Sequence, residues 1–224
     1  MVKNHIKRLT VPNTWKGIAK KENVYIMKPR PGPHARELSM PLALLLKQIG
    51  VAKTMRECRY VLHNTEVFVD GRRVKDTHFP VGVFDVLTLA GTKESFRMLL
   101  DRKGKLDLVK IEKNSDRKVC RINGKKIIAA GKVQLNLSDG RNILVDKSEY
   151  KVGDSLVLEL PSQKVAQHLA LAQKAHIILM GGKHRGDHGE VAKVEDATIV
   201  YKNNEGKEIQ TLREYAYVMD KTIA

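Results

Sequence analysis

Residues 40–76 read MPLALLLKQIGVAKTMRECRYVLHNTEVFVDGRRVKD. Leu42, Leu45, Leu46 and Ile49 recur at helical spacing, and Gly50 stops that helix. Thr54 is a natural N-cap for a second helix, with Glu57 three residues on, the spacing of a capping box. Met55, Cys58 and Leu62 then share one helical face, while Arg56, Arg59, Tyr60 and His63 share another. After Thr65 the period falls to two: Val67 and Val69 share a face, and Asp70-Gly71 is a hairpin signal. Arg72 and Arg73 follow that turn. Such a unit buries an aliphatic face and shows a cationic one.

Two guanidinium groups one turn apart on a rigid helix match the geometry of neighbouring phosphates. A solvated helix face would look the same for Arg56 and Arg59 alone. Arg72 and Arg73, in a chain of net charge +16 and pI near 9.8, favour RNA. The stretch from Thr54 to Gly71 resembles the S4-type RNA-binding domain of ribosomal proteins, tyrosyl-tRNA synthetases and pseudouridine synthases. The resemblance rests on Thr54, Glu57, Cys58, Arg59, Val61, Leu62, Val67, Val69, Asp70 and Gly71. On this cationic face and hairpin, Lys53, Arg56, Arg59, His63, Arg72 and Arg73 are the candidate RNA contacts. Met55 stands where an arginine is usual, which removes one expected contact, and Thr65 stands where a glycine usually precedes the strand.

A chain of 224 residues can bury a real core. Its positive excess calls for a polyanion, with nucleic acid ahead of an acidic membrane surface. Residues 1–39 carry nine Lys/Arg against two Asp/Glu, so nearly half the excess lies in the first sixth of the chain. Two cysteines, Cys58 and Cys120, cannot make a disulfide scaffold or a four-thiolate zinc site. Cys58 reads as a helix-face core residue and Cys120 as a strand residue. With no apolar run of spanning length and no signal-peptide pattern, a soluble, reducing compartment is expected.

In the 1–39 arm, Pro12, Pro29, Pro31 and Pro33 forbid long helices, and PRPGPH should run extended. It is either a disordered tail or an arm ordered on RNA, with Lys3, Lys7, Arg8, Lys16, Lys20 and Lys21 meeting phosphates. Trp15 should pack against the domain rather than stack on a base. FPVGVFDVLTL, residues 79–89, has strand character, and Gly82 permits a bend or bulge. Phe96–Leu100 and Leu106–Ile111 read as strands around a Lys103-Gly104 turn. From about Ile111 to Leu160 the pattern is all-β, with turns expected at Asn123-Gly124, Asp139-Gly140 and Val152-Gly153-Asp154; a small barrel or half-barrel fits. Residues 163–176 suggest a short linking helix.

HIILMGGKHRGDHGEVAKVED, from His176, carries glycines at 181, 182, 186 and 189, with strand patterns at 197–201 and 208–212. It resembles the KOW motif of SH3-like barrels, with Lys183, His184 and Arg185 as candidate phosphate contacts; a charged structural turn is the plainer reading, above all for His184 and His188. The two histidines are four apart, but Gly186 breaks any helix between them and no third ligand is evident, so no metal is expected. There is no Walker spacing, serine elbow or Cys/His/Asp set. Asp85 and Asp154 read as turn residues rather than an acid–base pair.

Taken together, HIKRLTVPNTW, PGPHARELSMPL, VFVDGRRVKDTHFPVGVFDV and the glycine-rich motif resemble the ribosomal protein S4e family over essentially the whole chain, and the archaeal more than the eukaryotic form. That resemblance implies an α+β, multi-domain protein: a basic arm (1–39), an S4-type domain (40–110), a central β domain (111–162), then a linker and KOW domain (163–224). It implies a non-enzymatic constituent of the small ribosomal subunit in the cytoplasm. The expected partners are small-subunit rRNA and neighbouring ribosomal proteins, with no cofactor, membrane or small-molecule substrate. The alternatives are an RNA-modifying enzyme docking through its S4-type module and a KOW-containing transcription factor. About 50 residues of β pattern are too few for a pseudouridine synthase catalytic domain.

Overall fold

The computed structural model describes residues 4–112, 114–128, 131–146 and 149–220. Among the described residues the protein is mostly β, with two α-helices, and it divides into two compact units: Met1–Leu99 with Lys105–Asp116, and Leu100–Gly104 with Arg117–Ala224. No described helix is long and apolar enough to cross a membrane.

The first unit begins with a two-stranded ribbon, β1 (His5–Lys7) against β2 (Tyr25–Met27). Between them Trp15 is buried, its indole N–H donating to the Arg36 carbonyl at 3.2 Å. Thr14 donates its hydroxyl to the Glu37 carbonyl, and its own carbonyl accepts the Leu106 amide, both at 2.6 Å. Trp15 therefore packs into the first unit, and residues 11–16 are anchored there without a long helix.

β3 (Ser39–Pro41) leads into α1 (Leu42–Ile49), whose Leu42, Leu45 and Leu46 are fully buried. Burial of such side chains stabilises by about 1.5–3 kcal/mol each. Gly50 ends α1 in the left-handed region at φ 88°. α2 (Met55–Asn64) opens with the expected capping box: Thr54 Oγ1 accepts the Glu57 amide at 3.2 Å, and the Glu57 carboxylate accepts the Lys53 amide at 2.7 Å and, more distantly, that of Thr54. These bonds, the one from Lys53 foremost, hold the Glu57 carboxyl below its ordinary value. Thr65 ends α2 at φ −105°, a conformation that does not need glycine.

β4 (Val67–Val69) and β5 (Arg72–Arg73) form the hairpin, with Asp70 and Gly71 at φ 50° and 75°. The Asp70 carboxylate also accepts the Val86 amide at 3.0 Å. β6 (Pro80–Gly82) pairs with β3, and β7 (Val86–Leu89), β8 (Glu94–Leu100) and β9 (Leu106–Ile111) complete the sheet β5-β4-β7-β8-β9. Gly82 is required by packing: a Cβ there would lie 2.1 Å from the His34 ring. That ring reaches the buried Asp85 carboxylate at 3.1 Å, which also accepts the Gly82 amide. Asp85 is thus a structural acceptor.

In the second unit, β10 (Arg117–Ile127), β11 (Val133–Leu137), β12 (Asn142–Val145), β13 (Ser155–Glu159) and β14 (Val165–Leu169) form a five-stranded sheet, ordered β12-β11-β10-β13-β14. Two expectations are corrected here. Asn123-Gly124 is not a turn: it lies inside β10, where the register to β11 shifts between Ile122 and Gly124. The linking helix at 163–176 is absent; Val165–Leu169 is a strand because β13 offers an edge to which its backbone bonds. Asp154 is again structural, accepting from the Lys151 and Leu171 amides and from His168. The remaining strands, β15 (His176–Leu179), β16 (His188–Val194), β17 (Thr198–Asn203), β18 (Glu208–Leu212) and β19 (Ala216–Val218), make a second antiparallel sheet, ordered β18-β17-β16-β15-β19, over a core containing Ile177, Leu179, Ile199 and Tyr201.

Candidate nucleic-acid interface

The first unit presents one cationic surface on α2. Cys58 and Leu62 are fully buried and fix the helix, with the Cys58 thiol against the Ala43 carbonyl. Burial pushes that thiol's pKa up, so it stays protonated and inert. The opposite face leaves Arg56, Arg59, Tyr60 and His63 exposed, and Lys53 is exposed just before the helix. Tyr60, at 70% exposure, puts a ring among these cations, where a base could stack.

Arg72 and Arg73 are both exposed, but strand alternation sends them to opposite faces of the hairpin. Arg72 pairs with Val69, on the side that carries buried Val67 and Val69. Arg73 pairs with Phe68 and lies 3.3 Å from the Glu66 carboxylate. The hairpin offers one cation to each side, not two to one ligand.

The arm's cations divide similarly. Lys7 and Lys21 are exposed, and Lys20 is exposed with its ammonium on Asn13 at 2.9 Å. Arg8 turns inward, to the Ala19 carbonyl at 2.7 Å and the Glu22 carboxylate at 3.1 Å, and Lys16 is ion-paired with Asp107. Both serve the unit's own structure. Lys3 lies outside the described residues.

In the second unit the candidate loop runs from Gly181 to Asp187. Gly186 has φ +84°, and a Cβ there would meet the Asp101 carbonyl at 2.1 Å, so only glycine lets the loop rest on the 100–104 turn. Lys183 is exposed; His184 and Arg185 are half-buried, with Arg185 lying against Gly104. This contact brings Arg102 and Lys103, both exposed, beside the loop. Sequence reasoning passed over these two, although the Lys103-Gly104 turn that carries them was readable. Burial, then the neighbouring His176 and Arg102 charges, depress the His188 pKa, so His188 is neutral at pH 7 and a poor phosphate ligand.

The family described as Ribosomal family S4e matches residues 92–165, the RS4NT (NUC023) domain residues 2–37, and the S4 domain residues 40–87. Small ribosomal subunit protein eS4 of Methanococcus aeolicus is 36% identical, over 97% of this chain and 94% of the relative. The chain belongs to the ribosomal S4e family. Its eS4 relative in Nanoarchaeum equitans is 42% identical over 86% of this chain and 83% of its own, and that of Archaeoglobus fulgidus 37% over 99% and 95%. The crystal structure of 30S ribosomal protein S4e from Thermoplasma acidophilum superposes on this S4e-family fold with a TM-score of 0.68, at 26% identity, covering 81% of this chain and 94% of that one. The S4 match contains α1, α2 and the β4–β5 hairpin, so the exposed cationic helix lies within the matched domain.

Proposed function

We propose that this protein is a structural constituent of the small ribosomal subunit that holds folded rRNA and abuts neighbouring ribosomal proteins. Membership of the S4e family, whose relatives are named as small-subunit proteins, carries this reading. Within it, Lys53, Arg56, Arg59 and His63 meet consecutive phosphates, and Arg72, Lys7, Lys20 and Lys21 extend the contact. The sheet β15–β19, with its glycine-rich β15–β16 connection, supports a KOW-type SH3-like barrel, in which Lys183, His184 and Arg185, joined by Arg102 and Lys103, touch a further rRNA segment. Several modest patches on one RNA raise the effective concentration of each other, so affinity need not come from one site.

The protein works here as a ribosome-bound component of the cytoplasm, with no catalytic step, cofactor, membrane or small-molecule substrate. Tagged protein in cells should sediment with small subunits and remain there after a high-salt wash. Recovery with RNA polymerase instead, or uridine modification of rRNA by the purified chain, would overturn the reading in favour of a transcription factor or a modifying enzyme.

A further inference from the structure

The second unit holds a cleft of about 440 Å³ lined by Arg121, Val152, Ala197, Leu212, Arg213 and Glu214. Arg121, on β10, is only 9% exposed, and its guanidinium lies 5.4 Å from the centre of the Tyr217 ring. Nη1 donates to Asn123 Oδ1 at 3.0 Å and Nη2 to the Arg213 carbonyl at 3.4 Å, while Nε–H is buried without an acceptor. Among the described residues no carboxylate reaches it at ion-pair distance; Glu214 acts on it only at longer range. Arg213 donates to the Val152 carbonyl at 2.9 Å, and a Cβ on Gly153 would press on its Nε at 3.2 Å, so glycine makes room for the guanidinium.

Two guanidinium groups thus share one cleft with neutral oxygens as hydrogen-bond partners. Burial first, then ring and charge neighbours including Arg213, bears on Arg121, with burial lowering its pKa. A buried cation without a counter-ion is a standing electrostatic cost that an entering anion removes. Both forks suit bidentate recognition of a planar carboxylate. Between these charged groups the lining is aliphatic, from Val152, Ala197 and Leu212, with Val152 and Leu212 each 43% exposed; among the described lining residues there is no aromatic ring for a nucleobase to stack on. Leu212 ends β18, an edge strand of its sheet, where an extended peptide finds backbone partners.

We propose that this cleft binds an acidic side chain of an extended, aliphatic segment of a neighbouring protein, with Arg121 and Arg213 holding the carboxylate and Val152 and Leu212 taking the flanking side chains. Glu214 then limits the site to a single carboxylate by opposing further negative charge. The site does not depend on the RNA-binding reading.

The test follows the arginine Nε–H signals of the nitrogen-labelled full chain by NMR while a capped Leu-Glu-Val-Glu-Leu peptide is added. Saturable shifts at Arg121 and Arg213 are expected, with none from the peptide carrying Gln for Glu. Arg213→Gln should weaken the peptide by about tenfold or more. Leu212→Asp, which keeps both arginines, should weaken it too. Both variants should bind rRNA as the parent does, which separates this proposal from the fate of the RNA surface. Absent shifts on a folded chain, equal shifts from the neutral peptide, or tighter saturation of the same signals by oligouridylate would overturn it; the last would give the cleft to phosphate.

Discussion

The phenolic hydroxyl of Tyr201 donates a 2.9 Å hydrogen bond to the carboxylate of Asp187. Tyr201 is fully buried on β17, and Asp187 closes the glycine-rich loop, so this bond ties the loop carrying Lys183 and Arg185 to the sheet. Tyr201→Phe should cost about 1.5–2 kcal/mol by thermal or denaturant unfolding, the loss of a hydrogen bond to a charged group.

The same contact has a pH signature. Burial, then the bond to Asp187, raises the Tyr201 phenol above its ordinary value of 10.0. Above that pH the unfolded chain loses the proton while the fold retains it. The stabilisation is therefore complete below the ordinary tyrosine value and is lost as pH climbs towards the raised one. Alkaline unfolding curves of Tyr201→Phe should fall less steeply than those of the parent; parallel curves would reject the assignment.

Arg56→Ala with Arg59→Ala should weaken rRNA binding and make the slope of log affinity against log salt shallower by about 1.5, because two phosphates then keep their counter-ions. Both side chains are exposed and α2 is anchored by Cys58 and Leu62, so thermal stability should stay within about 0.5 kcal/mol. An unchanged salt slope would remove this face from the interface.

Thr54→Ala removes the acceptor of the Glu57 amide and should cost about 1 kcal/mol. Because the cap fixes the turn that bears Arg56, rRNA affinity should fall without any charge being removed. Thr54→Ser should restore both properties.

Gly186→Ala and Gly50→Ala separate conformation from crowding. Gly50 has φ +88° with open space around it, so alanine there should cost about 1 kcal/mol of backbone strain. Gly186 adds a collision with the Asp101 carbonyl at 2.1 Å, and its alanine variant should lose about 3 kcal/mol or more and displace the cationic loop. Equal losses at the two sites would contradict the packing described.

Much of the first unit was legible because its signals are local. The Thr54–Glu57 cap, the Gly50 stop and the Asp70-Gly71 turn depend on bonds and backbone angles within four residues, and each stands as read. The departure at Thr65 proved harmless because φ there is negative. The arm was harder to read: nothing along residues 1–39 says that Arg8 will find Glu22, or that Lys16 will find Asp107.

Sequence by itself therefore determined where α1 stops and α2 starts, which face of α2 is buried, and which cations that helix leaves outside. These follow from periodicity, capping and allowed φ, which neighbouring residues decide among themselves. Tertiary structure alone decided that Asn123-Gly124 continues a strand, that Val165–Leu169 completes a sheet, and that Arg102 and Lys103 join the glycine loop. It also decided that Arg121 is buried beside Arg213. A hydrogen-bonding edge or a close backbone approach is supplied by residues far along the chain, and no local pattern records who the partner will be.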